Sequence, residues 1–354
     1  MASDNRLGND YSQRSYLSAT EAARYLRTSV RHIHELVRRN LLKTYKSASG
    51  QMRFELTDLE AFDSITASST HRTKISVPRL TEISVNGTLQ RVVNGNSQRM
   101  DFIPSNSVHL MITSPPYFDA KMYSRRRIRG NLGDIHDTDS WFREIGKVWK
   151  EVYRVLQPGR KAFINIMNLP VRDAVSGFKS LNLVGKTIDI CEEIGFVFKR
   201  DIVWNKTNSV RAHFGSYPYP GGILINNSHE FILELEKPGG TYGKYSHLSA
   251  EQKSMSKLTR EFWLSIKNSD VWLISPEGSG DRRDHVAPFP MELPRRLIRA
   301  YSFIGETVLD PFVGSGTTLV AAAELGRNGI GLEIVKEIAA GAIETLNKIG
   351  HKAV

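Results

Sequence analysis

Cysteine is nearly absent from this sequence: Cys191 is the only one in 354 residues. A disulfide framework within the chain and a cysteine-rich zinc site are therefore excluded. No uninterrupted apolar run approaches the ~18 residues of a membrane span. The opening MASDNRLGNDYSQRS lacks the hydrophobic region of a secretory signal. A cytoplasmic location with no membrane partner is the expectation. Two phosphate-binding patterns are also missing. No Gly-Lys-Ser/Thr follows the glycine-rich loop near residue 314, and Leu319 stands where the third glycine of a dinucleotide fingerprint would fall. Positive charge, by contrast, is in excess. Lys and Arg number 48 against 37 Asp and Glu, a net +11 at pH 7. That excess suits a polyanionic partner, nucleic acid first, or a solvated basic surface. A 40% hydrophobic chain of 354 residues can bury a sizeable core, in about two domains.

The chain divides by pattern. Residues 1–15 read as a disordered tail. Residues 16–63 read as a small helical unit. Ser18-Ala-Thr-Glu21 is a capping box that opens a helix through about Leu26. A second helix is expected from about Val30 to Arg39, then a hairpin turning near Gly50. Thr57-Asp-Leu-Glu60 reads as a second capping box, with a short helix through Phe62. The Ser/Thr-rich stretch 64–80 suits a linker. From 81 to 354 strands alternate with helices, which predicts an α/β fold with a doubly wound parallel sheet. Residues 238–284 read as polar and irregular.

Two motifs carry chemistry. Val308-Leu-Asp-Pro-Phe-Val-Gly-Ser-Gly-Thr-Thr318 joins a strand to an Ala-rich helix. Gly314 and Gly316 permit a sharp turn and close approach of the backbone to a ligand. Thr317 and Thr318 open the helix, where free N–H groups favour an anion such as a carboxylate. Glu333 ends the next strand, placed to accept hydrogen bonds from a ribose diol. This loop is expected to bind an adenosine-containing cofactor. The second motif, Ser114-Pro115-Pro116-Tyr117, closes an apolar strand at its carboxyl end. Its prolines stiffen the backbone and bring no N–H. The Ser114 hydroxyl and the Pro115 carbonyl are then two acceptors able to hold the two hydrogens of an exocyclic amino group. Tyr117 offers a flat face for a base.

Together the motifs resemble those of the S-adenosyl-L-methionine-dependent DNA amino-methyltransferases. Thr113-Ser-Pro-Pro-Tyr117 is similar to that family's catalytic motif, and Asp310-Pro-Phe-x-Gly-x-Gly-Thr-Thr318 to its cofactor motif. The catalytic motif comes first, as in the permuted beta class. Arg154-Val-Leu-Gln-Pro-Gly159, Trp204-Asn-Lys206, His229-Glu230 and His285-Val-Ala-Pro-Phe-Pro290 fit the same template. The resemblance implies a Rossmann-like sheet and a direct methyl transfer to the amino group of a flipped base. It places Asp310, Phe312, Gly314, Gly316, Thr317 and Thr318 along the cofactor, Glu333 on its ribose, and Pro288 and Phe289 over its methionine end. Asn96 stands where the family often has an aspartate near the adenine. Serine in the tetrad goes mostly with cytosine N4 in this family, aspartate with adenine N6. Cytosine N4 is the expectation, adenine N6 the alternative. Methylation at ring carbon C5 requires a cysteine nucleophile. Cys191, in Asp-Ile-Cys-Glu-Glu, reads instead as a buried structural residue.

Residues 16–63 resemble an excisionase-type winged helix. In such folds the second helix enters the major groove. That implies DNA contacts from Ser29, Arg31, His32 and Arg38, with Lys46 and Arg53 on the wing. A protein-interaction module is the alternative. Arg125, Arg126, Arg127 and Arg129 follow the tetrad and are candidates to clamp phosphates near a flipped base. Residues 238–284 hold the place of the beta class's target-recognition region, with Lys244, Lys253, Lys257 and Arg260 as candidate readers. The site calls for no metal. Double-stranded DNA is the expected partner. A restriction–modification system would add a cognate endonuclease, and a homodimer is compatible with the reading. An RNA methyltransferase and a non-enzymatic DNA-binding regulator are the competing functions.

Overall fold

Ser18 caps the first helix as its sequence requires. Its hydroxyl accepts from the Glu21 N–H at 3.3 Å, while the Glu21 carboxylate accepts from the Ser18 N–H at 2.9 Å. A computed structural model describes residues 16–26, 28, 30–38, 41–47, 50–68, 79–116, 128, 130–135, 137–171, 179–207, 225, 227–240, 245–276 and 289–350. It divides into two units, residues 1–76 and 77–354.

The first unit runs β1 (Tyr16–Ser18), α1 (Ala19–Tyr25), α2 (Val30–Arg38), β2 (Tyr45–Lys46), β3 (Met52–Glu55) and α3 (Leu56–Ser68). Its three strands form one antiparallel sheet with β3 in the centre. Leu17, Ile33, Leu36, Leu42, Phe54 and Leu59 close its core. Two expectations are corrected here. The last helix starts at Leu56, directly from β3, so Thr57 lies inside it rather than capping it. The helix also continues to Ser68, into the stretch read as linker. Leu59 anchors its first turns in the core, and no glycine or proline interrupts the run that follows. The tail 1–15 lies outside the described residues.

The second unit contains β4 (Arg79–Val85), β5 (Thr88–Asn94), β6 (Val108–Thr113), α4 (Thr138–Val155), β7 (Leu156–Ile166), β8 (Leu169–Val171), β9 (Lys179–Leu181), α5 (Leu183–Ile194), β10 (Val197–Asn205) and β11 (His229–Glu236). There follow α6 (Ala250–Met255), α7 (Arg260–Lys267), β12 (Val271–Leu273), α8 (Glu292–Tyr301), β13 (Thr307–Asp310), α9 (Thr317–Glu324), β14 (Asn328–Glu333) and α10 (Lys336–Gly350). Nine strands make the main sheet, ordered β12-β10-β11-β7-β6-β13-β14-β5-β4. The run β7-β6-β13-β14-β5 is parallel throughout. Antiparallel strands β4 and β11 flank it.

From β6 the chain crosses through α4 to β7; from β13 it crosses through α9 to β14, on the other side. Neighbouring strands β6 and β13 therefore part company at their carboxyl ends. Doubly wound sheets bind ligands at such a switch point. Met111, Ile164 and Leu309 pack with Trp141, Ile145 and Trp149 of α4. Leu110, Ile112 and Val308 pack with Leu297 and Ile298 of α8 and Ala321 of α9.

Of the stretch 238–284, residues 241–244 and 277–284 lie outside the described residues, and 245–276 are more regular than their composition suggests. Ser249 and Gln252 form a capping box for α6, Thr259 caps α7, and β12 pairs with β10 through a buried Trp272. Among the described residues no helix is long and apolar enough to cross a membrane.

Candidate functional site

The two motifs meet at the switch point through one buried carboxylate. Asp310, the last residue of β13, is 1% exposed. Its Oδ1 accepts from the Thr113 hydroxyl at 2.6 Å and from the Phe312 N–H at 3.0 Å. Its Oδ2 accepts from the Thr318 hydroxyl at 2.6 Å. Thr113 leads directly into Ser114, and Thr318 lies in the first turn of α9. One side chain thus joins the strand before the tetrad to the helix after the glycine loop. Burial raises its pKa from 3.8 to about 6, against the pull of those three donors. Asp310 and Thr318, both expected along the cofactor, are closed off from solvent and bonded to each other.

The glycine loop supplies the open surface instead. Gly314 and Gly316 both adopt positive φ, +51° and +93°. A Cβ on Gly316 would lie 3.3 Å from the Ala342 Cβ of α10, so the loop is pressed onto that helix. On Gly314 the nearest atom would be the Phe312 carbonyl oxygen at 3.9 Å, which leaves room on that side. Gly316 caps α9 with no side-chain hydrogen bond, so the helix's first N–H groups and its positive end are available to an anion. Thr317 and Phe312 are half-buried, and Phe312 stands edge-on to Trp149 with ring centroids 6.2 Å apart.

Glu333 ends β14 beside this loop. Its Oε1 accepts from the Val335 N–H at 2.8 Å. Desolvation raises its pKa from 4.5 to about 7, opposed by backbone N–H groups of residues 335, 314 and 334. Asn96 lies past the end of β5, the strand paired with β14 through Asn94 and Glu333. Its Oδ1 accepts from the Gln98 N–H at 2.9 Å, and its Nδ2 packs against Gly130, where a Cβ would lie 2.4 Å away. Ser97 hydrogen-bonds the Pro311 carbonyl. The loops after β5, β13 and β14 therefore converge on one edge of the switch point.

On the other side, Ser114 and Pro116 are half-buried and Pro115 is buried. Phe289, expected over the methionine end of the cofactor, packs in the cluster of Trp204, Trp272 and Ile112. Tyr117, Arg125, Arg126, Arg127, Arg129, Pro288 and Ser29 lie outside the described residues, as does the side chain of His32. Cys191 is buried in α5, and burial holds its thiol well above the ordinary range.

Within the first unit Arg31, Arg38 and Lys46 are exposed and Arg53 is half-buried. Arg38 pairs with Glu35 at 2.6 Å, and Arg53 donates to Gln51 at 3.2 Å. Ile33 and Leu36 point into the core, so α2 turns its basic residues outward.

Candidate readers Lys253 and Lys257 are placed unexpectedly. Gln252 of α6 donates to the Ile304 carbonyl at 3.1 Å, just before β13 begins. That is the amino end of the parallel strands, away from Ser114. A cavity of about 630 Å³ opens there, between Lys257, Arg299 and Asn328. At the same end, His109, His247 and Glu306 have donor atoms at metal-ligand spacing. The His109 Nδ1 already accepts from the Thr307 N–H at 3.1 Å, and Glu306 is ion-paired with Arg160, so this cluster is a satisfied charge network.

Sequence reasoning gives no role to three residues near the tetrad: Asn165, Glu230 and Lys206. The Asn165 amide donates to Glu230, and Glu230 pairs with Lys206. Trp204-Asn-Lys206 and His229-Glu230 are visible as motif pieces, but their meeting depends on strand order. Gly331 has no sequence signal either. A Cβ there would lie 2.6 Å from Val313 Cγ2, so β14 needs glycine where the loop crosses it.

The chain matches the family model described as DNA methylase over residues 108–344, and one described as a helix-turn-helix domain over residues 16–62. It is 35% identical over 278 residues to the type II methyltransferase M.MjaI of Methanocaldococcus jannaschii, covering 71% of this chain and 89% of that protein. It is 33% identical over 266 residues to the type II methyltransferase M.MthZI of Methanothermobacter thermautotrophicus, covering 70% of this chain and 73% of that one. A Thermus thermophilus protein described as a putative DNA modification methylase, solved in complex with S-adenosyl-L-methionine, superposes with a TM-score of 0.57 at 32% identity, over 72% of this chain and 92% of that one.

Proposed function

The chain belongs to the DNA methylase family, and from that premise we propose that it methylates the N4 amino group of cytosine in double-stranded DNA, as the modification half of a restriction–modification pair. The observation that carries this reading is the Asp310 carboxylate, which ties Thr113, beside the tetrad, to Thr318, beside the glycine loop. Two relatives named as type II methyltransferases support the biological setting.

S-adenosyl-L-methionine, which the Thermus relative binds, supplies a methyl group already activated on a sulfonium. The residues present fit that molecule. The uncapped start of α9 suits its carboxylate, the open side of Gly314 allows close approach, and Glu333 suits its ribose diol. Asn96 stands on the adenine side, at the end of β5. Ser114 and the Pro115 carbonyl do the remaining work on the base. An exocyclic amino nitrogen is a poor nucleophile, because its lone pair is delocalised into the ring. Two acceptors holding both N–H groups favour a pyramidal nitrogen, whose lone pair is then free to attack. The C–S bond breaks as the N–C bond forms, its electrons stay on sulfur, and the nitrogen sheds a proton to solvent. Positioning is the main catalytic contribution. The base must leave the duplex to reach Ser114, and Tyr117 is its stacking partner. Arg31 and Arg38 on α2, with Lys46 on β2, give the helix-turn-helix unit a basic surface for the duplex.

Nucleoside mass spectrometry tests this directly. DNA incubated with the protein and labelled S-adenosyl-L-methionine is expected to yield labelled N4-methylcytosine. Labelled N6-methyladenine would overturn the choice of base and keep the chemistry. Label in RNA in preference to DNA would overturn the substrate class.

A further inference from the structure

Asn165 lies on β7 one step past the last β6–β7 pair, Thr113 with Ile164. Continuing that register sets it beside Ser114. Its side chain is 2% exposed, and its Nδ2 donates to Glu230 Oε2 at 2.6 Å. Glu230, on β11, is also buried, and its other oxygen is ion-paired with Lys206, just beyond β10. A carboxylate only accepts, so the amide must turn its NH₂ toward Glu230. The Asn165 Oδ1 is thereby fixed on the other side, where it is buried and has no hydrogen-bond partner among the described residues. Eight buried side-chain polar atoms among the described residues are in that state, and each calls for a partner; Asn165 is the one at the carboxyl end of β7, beside the tetrad.

We propose that Asn165 is the positioning residue for Ser114: its Oδ1 takes the Ser114 hydroxyl hydrogen when the target nucleotide is bound, which turns the Oγ lone pairs to the amino group. The inference rests on the reading of Ser114 as an acceptor. A serine hydroxyl left alone rotates, and donates as readily as it accepts. A donating Ser114 would occupy the nitrogen lone pair that must attack the methyl group. Held by Asn165, it can only accept. Oδ1 is closed to solvent, which shields it from an entering base, and the register brings the Ser114 hydroxyl to its side. Four successive strands each contribute one member: Lys206 after β10, Glu230 on β11, Asn165 on β7 and Ser114 after β6.

Kinetics of the full chain on genomic DNA at saturating S-adenosyl-L-methionine test the proposal. Asn165→Leu is expected to lower kcat by about 10²-fold with an unchanged cofactor KM. The loss should not add to that of Ser114→Ala: the double variant should be no slower than Ser114→Ala alone. Asn165→Asp provides the second variant. While protonated, its carboxyl can donate to Glu230 as the amide does and keep an oxygen toward Ser114. Its partner Glu230 is in turn ion-paired with Lys206. Its kcat should approach wild type at the acid end of the range and fall as the pair loses its shared proton, a fall that the wild type lacks. Wild-type kcat in Asn165→Leu, or additive losses in the double variant, would overturn the role. If Asn165→Leu melts below the assay temperature, the Asn165→Asp profile decides, and a profile parallel to wild type would overturn it. Failure of the wild type to methylate DNA at all would instead sink the underlying reading of Ser114.

Discussion

At the scale of single residues, the proposed ribose contact of Glu333 would link cofactor binding to pH. Desolvation lifts its pKa to about 7 in the protein. An ionised carboxylate can accept from both hydroxyls of a ribose, whereas the protonated form competes as a donor. Cofactor affinity should therefore rise as the pH passes from 6 to 8 and level off above, when measured by calorimetry. Glu333→Gln should bind more weakly and with a flat profile over that range. A flat wild-type profile would remove Glu333 from the ribose. The two loop glycines should separate stability from binding. Gly316 holds φ +93° with Ala342 close by, so Gly316→Val should cost about 2–3 kcal/mol of stability through strain and overpacking. Gly314 holds φ +51° beside open space, so Gly314→Val should cost roughly 1–2 kcal/mol and act mainly by blocking the cofactor. Melting curves and calorimetry on the pair check this. Equal loss of stability in both would contradict the packing difference.

At the scale of elements, α2 turns Arg31 and Arg38 to solvent. Arg31→Ala and Arg38→Ala should each weaken DNA binding at all sequences and lower the slope of log affinity against log salt by about one. An unchanged slope would make this unit a protein-binding module instead. Local signals make the helices of this unit readable: the Ser18–Glu21 box is in the sequence and in the structure. The β4–β5 hairpin has a local signal too. Asn86 and Gly87 turn it with φ of +50° and +73°, the dipeptide that two-residue hairpins favour. Polar residues alternating along an edge obscure its strands. By contrast, the end of the sheet to which α6 belongs cannot be read from its own residues. Lys253 and Lys257 look like groove readers by composition, yet the link between Gln252 and Ile304 carries them to the far end of the strands. Sequence motifs locate Ser114, Gly314 and Glu333. The bonds of Asp310 and Asn165 depend on which strands become neighbours, a long-range outcome of packing that no local window contains.

At the scale of the whole molecule, a helix-turn-helix unit and a methylase unit share one chain. In the second unit the catalytic motif precedes the cofactor motif by almost 200 residues, and a parallel sheet brings them back together at adjoining strands. On the proposed reading, that arrangement sets the acceptors for an amino group beside the place for a methyl donor. The account turns on Ser114. The most direct test compares wild type with Ser114→Ala, following transfer of a labelled methyl group to DNA alongside calorimetric binding of S-adenosyl-L-methionine. Wild type should label DNA, and Ser114→Ala should bind the cofactor equally well yet transfer almost no label. Full transfer by Ser114→Ala would contradict the account.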